Sequence, residues 1–157
     1  DGPRKKQNGR VVAMSSRLIR DVIKNQSVVA LPRTATVRQA AQEMAKRRIG
    51  AVVIVDDGTL TGIFTERDGL FRVLADGRDP DTTTLDQVMS SKLSTIAPDR
   101  PLLHALHIMH DHGFRHMPVV QGGKPVGMLS IRDALDHELV HFVKEIEKKE
   151  ALTEIIR

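Results

Sequence analysis

The chain of 157 residues contains no cysteine, tryptophan or tyrosine, and 24 basic against 20 acidic residues give it a formal charge of +4. The absence of cysteine excludes disulfides, thiolate catalysis and cysteine-based zinc sites. It also favours a cytoplasmic location. Hydrophobic residues make up 40% of the chain and charged residues 28%, which indicates a folded protein, and no apolar run of about 18 residues predicts a membrane span.

The first predicted element is a basic N-terminal arm over residues 1–17. Residues 1–20 carry six basic side chains and one acidic side chain, whereas residues 21–157 carry 18 basic and 19 acidic ones. The net positive charge therefore belongs to the arm. Because a nucleic-acid-binding protein needs a basic face on its folded part, with aromatic rings for base stacking, we interpret the arm as a solvated tail. Nucleic-acid binding through the arm remains an alternative.

The rest of the chain contains an internal repeat. Shifted by 65 residues, the sequence matches itself without gaps, with Asp21 on Asp86, Ala40 on Ala105, Met44 on Met109, Gly62 on Gly127 and Asp68 on Asp133. Such a repeat means that one supersecondary unit is used twice and that its two copies bury their apolar faces together. We assign residues 18–76 to repeat 1, 77–83 to a linker, 84–141 to repeat 2 and 142–157 to a C-terminal helix.

Each repeat predicts the order β-α-β-β-α. The first strand is Val28–Leu31 in repeat 1 and Leu93–Ala97 in repeat 2. The helix that follows has an apolar face in both copies: Val37, Ala40, Ala41 and Met44, or Leu102, Ala105, Leu106 and Met109. A hairpin follows, closed by Asp57-Gly58 or Gly122-Gly123, with the strands Ile49–Val55 and Leu60–Phe64, or Phe114–Val120 and Pro125–Leu129. The second helix begins at a good N-cap residue, Thr65 or Ser130.

The last predicted element is a long helix over Ala134–Arg157. Its apolar residues follow a 4-3-4 spacing: Leu135, Leu139, Phe142 and Ile146. A stripe with this spacing either covers the helix's own domain or contacts a second copy of the chain.

All seven histidines lie between His104 and His141. The i, i+4 pair His137 and His141 has the spacing of a metal site, but no third ligand is indicated, so we predict no metal.

The motif that carries chemistry lies where the last strand of each repeat meets the last helix. Both copies fit the pattern G-h-h-[ST]-x-R-D, as Gly62-Ile63-Phe64-Thr65-Glu66-Arg67-Asp68 and Gly127-Met128-Leu129-Ser130-Ile131-Arg132-Asp133. A hydroxyl beside the free N–H groups of a helix start suits a phosphate, and the arginine can reach the same anion. The acid can accept hydrogen bonds from vicinal hydroxyls. A capping box is the alternative, but the recurrence of the motif favours a ribose phosphate site.

The chain resembles a tandem pair of CBS domains, a Bateman module, over Leu18 to His141. The resemblance rests on these motifs, on the strand Phe114–Val120 and on helices of the type V-x-x-A-x-x-x-M. The resemblance implies an α+β fold of two three-stranded sheets with helices, related by a pseudo-twofold axis. It implies a regulatory sensor of adenosine nucleotides (AMP, ADP or ATP) that is not an enzyme, and it favours a homodimer. Alternatives are NAD(H) or S-adenosylmethionine as ligand, and an enzyme acting on a nucleotide, although no P-loop or nucleophile elbow is present.

The resemblance also implies two ligand clefts, each shared between the repeats. Cleft A would combine Thr65, Arg67 and Asp68 with Ser94, Arg115 and His116. Cleft B would combine Ser130, Arg132 and Asp133 with Val29, Gly50 and Ala51. The acid would hold the ribose, the hydroxyl a phosphate, and aliphatic side chains the adenine. Because Gly50-Ala51 stands where repeat 2 has Arg115-His116, cleft B lacks one phosphate anchor, and we predict tighter nucleotide binding in cleft A.

Overall fold

The computed structural model describes residues 17–156, with side chains to residue 152, so the predicted arm lies outside the described residues except for Arg17. The described elements, in chain order, are α1 (Ile19–Ile23), β1 (Ala30–Leu31), α2 (Val37–Arg47), β2 (Ala51–Asp56), β3 (Thr59–Thr65), α3 (Glu66–Asp68, continued by a π-helical turn, Gly69–Leu74), α4 (Leu85–Val88), α5 (Leu102–His112), β4 (His116–Gln121), β5 (Lys124–Ser130) and α6 (Ile131–Ile156). The predicted α+β fold with a C-terminal helix is confirmed.

An antiparallel hairpin forms the centre of each repeat. In repeat 1, β2 pairs with β3, and in repeat 2, β4 pairs with β5 in the equivalent register. Both turns have positive φ, at Asp57 and Gly58 (51° and 76°) and at Gly122 and Gly123 (59° and 79°). Two successive positive φ angles are the mark of the type I′ turn, whose twist matches that of the strands. The two predicted hairpins are therefore confirmed.

The first strand differs between the repeats. In repeat 1, β1 pairs in parallel with β2, and the N–H of Val53 donates to the carbonyl of Val29. In repeat 2 the predicted strand Leu93–Ala97 is reduced to a single bridge between Ile96 and Val119, so this sheet has two strands rather than the expected three. The residue equivalent to Val53 is Pro118, which has no N–H to donate, so the corresponding hydrogen bond cannot form.

The two halves of the chain exchange short helices. Ile19 and Ile23 of α1 pack in the core of repeat 2, whereas Leu85 and Val88 of α4 pack in the core of repeat 1. Because α1 begins at Ile19 and α4 at Leu85, their separation is 66 residues, and the match of Asp21 with Asp86 is wrong by one position. Each core is completed by a helix from the other half of the chain, which ties the repeats together.

The longer helices confirm most of the predicted apolar faces. In α2 and α5 the buried residues are Val37, Ala40 and Met44, and Leu102, Ala105 and Met109. Ala41, predicted on the covered face, is exposed because it faces a cavity rather than the core.

The second helix of repeat 2 and the C-terminal helix are one element, α6, and the stripe along it is 40–59% exposed. Among residues 17–156, no helix has the length and apolar character that a membrane span requires.

Candidate functional site

The structure brings together the six residues that the sequence assigned to cleft A. Thr65, Arg67 and Asp68 from repeat 1 and Ser94, Arg115 and His116 from repeat 2 line one cavity of about 630 Å³. Repeat 1 contributes the β3–α3 junction, and repeat 2 contributes the segment before the Ile96 bridge and the start of β4. Two further cations that sequence reasoning missed, Arg72 and Lys92, line the same cavity.

Asp68 in cleft A is occupied by protein contacts. Its Oδ2 accepts hydrogen bonds from the N–H and the hydroxyl of Thr65, at 2.9 and 3.1 Å, and Thr65 Oγ1 accepts from the N–H of Asp68 in return. Its Oδ1 lies 3.5 Å from Nε of Arg72, and the residue is only 8% exposed. The capping box considered for the sequence motif is therefore present in repeat 1, where it uses Oδ2, while Oδ1 is engaged by the ion pair with Arg72.

The six residues assigned to cleft B also share one cavity, of about 1550 Å³: Val29, Gly50 and Ala51 from repeat 1 and Ser130, Arg132 and Asp133 from repeat 2. Ser130 Oγ accepts from the N–H of Asp133 at 2.9 Å and caps α6. The Asp133 side chain is exposed, and within the described part of the chain its carboxylate has neither a hydrogen bond nor an ion pair. The acid in cleft B is thus available, whereas the acid in cleft A is not.

Cleft B is also richer in cations than the sequence indicated. Arg47 and Arg48, at the end of α2, and Arg78, from the linker, line it together with Arg132. Arg115 and His116, assigned to cleft A, line both cavities. The premise that cleft B lacks a phosphate anchor is therefore wrong, because residues outside the repeated motif supply the charge.

Arg48 is a further candidate functional residue, and a position-by-position comparison of the two repeats could have identified it. It ends α2 in the left-handed region, at φ 53° and ψ 45°, while the equivalent residue at the end of α5 is Gly113, at φ 72°. Glycine adopts this conformation without strain, and another L-residue pays about 1–2 kcal/mol for it. A strained arginine at the edge of a cavity, where the sister repeat has glycine, is typical of a functional position.

His116 lies between the clefts, packed against Gly50. A Cβ at Gly50 would lie 2.9 Å from Nε2 of His116 and 3.1 Å from Oε1 of Glu66, so any larger residue would require the ring of His116 to move. Burial lowers the pKa of His116; the nearby carboxylates of Glu66 and Asp133 raise it, and Arg115 lowers it. The imidazole is therefore mainly neutral at neutral pH.

The apolar walls of the clefts differ from the purely aliphatic walls expected from the sequence. Three of the four phenylalanines line them: Phe64 in cleft B, and Phe71 and Phe114 in cleft A. The aliphatic part of cleft B includes Val29, Met44, Ile49 and Val53. A planar base can thus contact aliphatic side chains in both clefts, and aromatic edges or faces as well.

Comparison with known proteins supports the same architecture. The family model for the CBS domain matches twice, over residues 19–74 and 85–139. The chain is 36% identical over 115 residues to the CBS domain-containing protein CBSX3, mitochondrial, of Arabidopsis thaliana, covering 70% of this chain but only 55% of that relative. It is 32% identical over 115 residues to the CBS domain-containing protein YhcV of Bacillus subtilis, covering 73% of this chain and 81% of that protein.

Solved structures are similar in fold. A signal-transduction protein with CBS domains, described as putative, from Burkholderia ambifaria superposes with a TM-score of 0.74 at 27% identity, over 79% of this chain and 95% of that one. A CBS-domain containing protein from Agrobacterium tumefaciens gives a TM-score of 0.72 at 29% identity, over 78% and 99%.

Proposed function

The chain belongs to the CBS-domain family, as two CBS domains in tandem, and from that membership we propose that it is a regulatory module that binds an adenosine nucleotide (AMP, ADP or ATP) between its repeats. Tandem CBS domains are in general regulatory, ligand-binding modules. One observation carries the proposal: in each cleft, the hydroxyl-arginine-acid motif of one repeat and a strand start of the other line the same cavity.

Cleft B is the principal nucleotide site in this proposal. Its Asp133 carboxylate has no hydrogen bond or ion pair with the described residues, whereas both oxygens of Asp68 in cleft A have protein partners. A ribose can therefore bind Asp133 without breaking a helix cap. Because cleft B is not short of cations, there is no reason to expect tighter nucleotide binding in cleft A. We therefore propose that cleft B binds the nucleotide more tightly than cleft A.

The charge and the size of cleft B favour a ligand with several phosphates. Arg48, Arg78 and Arg132 can make charge-assisted contacts with phosphate oxygens, and Ser130 offers a hydroxyl at the start of α6. The cavity of about 1550 Å³ exceeds the range of roughly 300–1,000 Å³ that is usual for small-molecule sites. ATP fits this description better than AMP. The same room keeps NAD(H) as the second candidate, ahead of S-adenosylmethionine, which has no phosphate.

The regulatory step follows from the position of the ligand. A nucleotide in cleft B contacts both repeats at once, so it stabilises the arrangement of the repeats in which both sets of contacts form. We propose that a second copy of the chain receives this change in a homodimer, through the exposed stripe Leu135, Leu139, Phe142 and Ile146 of α6. The regulated protein is a further chain. A cytoplasmic, reducing environment suits a sequence without cysteine.

Isothermal titration calorimetry with AMP, ADP, ATP and NAD(H) tests the proposal. We expect Asp133→Ala to weaken ATP binding about tenfold to a hundredfold, because hydrogen bonds to a charged group contribute about 1.5–3 kcal/mol. Asp99→Ala is the matched control, since Asp99 is an exposed acid outside both clefts. Asp68→Ala should retain ATP binding but lose about 0.5–2 kcal/mol of stability with its cap.

Four results would contradict the proposal. If none of the four nucleotides binds the wild-type chain, the module is not a nucleotide sensor. If Asp68→Ala abolishes binding and Asp133→Ala does not, cleft A is the site. Release of phosphate or AMP from ATP in the same samples would favour the alternative of an enzyme acting on a nucleotide. Binding to nucleic acid that disappears when residues 1–16 are deleted would favour the arm alternative.

A further inference from the structure

The first turns of α6 bring two histidine ring nitrogens together outside both clefts. The segment reads His137-Glu138-Leu139-Val140-His141, and Nε2 of His137 lies 3.1 Å from Nε2 of His141. The ring centroids are 4.6 Å apart and the rings are tilted by 60°. We propose that His137 and His141 bind one divalent transition-metal ion of the type that prefers imidazole, with Zn²⁺ as the reference ion.

The distance between the two nitrogens fits a shared metal ion. Zinc binds histidine nitrogens at about 2.0–2.1 Å, so two nitrogens on a tetrahedral zinc ion lie about 3.3 Å apart. At right angles, as in a square-planar Cu²⁺ or Ni²⁺ site, the same bond length gives about 2.9 Å. The observed 3.1 Å lies between these values. The distance is therefore compatible with either ion, once the two rings reorient so that both lone pairs point at it.

The helix holds the pair in this position. Residues four apart lie on the same face of an α-helix, and both histidines are partly buried, unlike the residues of the exposed stripe. Without a metal, one ring donates its Nε2–H to the other ring. With a metal, both rings carry the proton on Nδ1 and direct the Nε2 lone pair to the ion. Metal binding therefore requires the donating ring to change tautomer, its proton passing from Nε2 to Nδ1 through solvent. A neutral pair releases no proton, and a pair with one cationic ring releases one proton to solvent.

The surroundings distinguish this site from that of a metalloprotease. In the H-E-x-x-H motif of those enzymes the glutamate acts as a general base. Here Glu138 forms an ion pair with Arg17, which also lies 3.7 Å from Glu145. Among the described residues, no cluster of three histidine, cysteine, aspartate or glutamate side chains could hold a metal. We therefore infer two protein ligands, with water or an added ligand at the other positions, and no peptidase activity.

The orientation of the two rings distinguishes the structure from the sequence pattern. The sequence predicted no metal because the i, i+4 spacing alone left the direction of the rings open and indicated no third ligand. The structure shows that the Nε2 atoms converge, which the spacing does not require.

The test is a zinc titration of the full chain without a polyhistidine tag, stripped with EDTA and then freed of chelator. Competition with a chromogenic zinc indicator gives the affinity and stoichiometry, and Co²⁺ in place of Zn²⁺ gives a visible spectrum that reports the coordination. We expect one zinc ion per chain. His137→Ala and His141→Ala should each weaken binding at least about tenfold, since even the loss of an outer partner of a ligand costs about 10–100-fold.

The matched control is His107→Ala. His107 is an exposed histidine on α5 that pairs with Asp111 four residues later, at 3.2 Å, so it tests whether any helical histidine with a neighbouring ligand binds zinc. This variant should bind zinc as the wild type does, and circular dichroism checks that every variant keeps its helices. If the wild type takes up no zinc at a ratio of one per chain, or if both alanine variants at 137 and 141 retain its affinity, the pair is only a hydrogen bond.

Discussion

The strained backbone of Arg48 leads to a prediction in which stability and binding change in opposite directions. Arg48 adopts φ 53° and ψ 45° at the end of α2, lines cleft B, and occupies the position at which repeat 2 has Gly113. If the arginine is present for its charge, the fold would be more stable with glycine there. Arg48→Gly should therefore raise the free energy of unfolding while it weakens nucleotide binding.

The expected magnitudes follow from the structure. Removing an L-residue from the left-handed region recovers about 1–2 kcal/mol, and the greater freedom of glycine in the unfolded chain takes back about 0.5–1 kcal/mol. The net gain lies between zero and about 1.5 kcal/mol, which is up to about 3–6 °C in Tm for a chain of this size. Loss of a charge-assisted contact to phosphate costs about 1.5–3 kcal/mol, which lowers ATP affinity about tenfold to a hundredfold.

Two further variants separate backbone from charge. Arg48→Ala keeps the strained backbone and removes the guanidinium, so it should lose ATP affinity without the gain in Tm. Gly113→Ala introduces the strain into repeat 2, where no other atom lies within 4 Å of the new Cβ, so it should lose about 1 kcal/mol and leave ATP binding unchanged. Thermal unfolding without ligand and calorimetry with ATP are the measurements. If Arg48→Gly is less stable than the wild type, or binds ATP equally well, the reasoning is refuted.

Three other predictions concern pH, packing and assembly. Because burial lowers the pKa of His116 below its usual value near 6.5, the unfolded chain binds protons first as the pH falls. The free energy of unfolding should therefore decrease from about pH 7 towards pH 5, and less so in His116→Gln; equal pH profiles in denaturant titrations would contradict this. Gly127→Ala should cost about 1–3 kcal/mol, because its Cβ would lie 2.7 Å from Cδ1 of the buried Ile23, and an unchanged Tm would show that the exchanged helix α1 packs otherwise. Leu139→Glu should convert a homodimer to a monomer in light scattering, whereas Leu103→Glu, equally exposed on α5, should not; a dimer that survives the first change does not use the stripe.

The sequence alone supports the parts of this fold that depend on neighbouring residues. The type I′ turn at Asp57-Gly58 needs two residues that tolerate positive φ, and the burial of Val37, Ala40 and Met44 follows from a period of 3.6. The repeat then transfers each assignment to the second half of the chain. The two clefts were also predictable in composition, because the family resemblance states which ends of the repeats face each other.

Where symmetry is broken, the repeat was a poor guide. Pro118 removes one hydrogen bond and thereby the first strand of repeat 2, and the extra residue between α1 and α4 shifts the match of Asp21 by one. Both differences can be read from the sequence. Their structural consequences cannot, because the loss of a strand depends on which N–H group would have donated a hydrogen bond to the neighbouring chain segment.

By itself, the sequence determined the two hairpins, the longer helices and the twofold recurrence of the hydroxyl-arginine-acid motif, since these depend on local propensity and periodicity. Only the tertiary structure decided which side chains share a space: Arg48, Arg78 and Asp133 line cleft B, His116 packs against Gly50, and two imidazoles approach each other on α6. It also showed that Asp68 is used by its own helix cap while Asp133 is not. These features depend on how side chains from separately formed elements pack together, and the spacing of residues along the chain does not specify that packing.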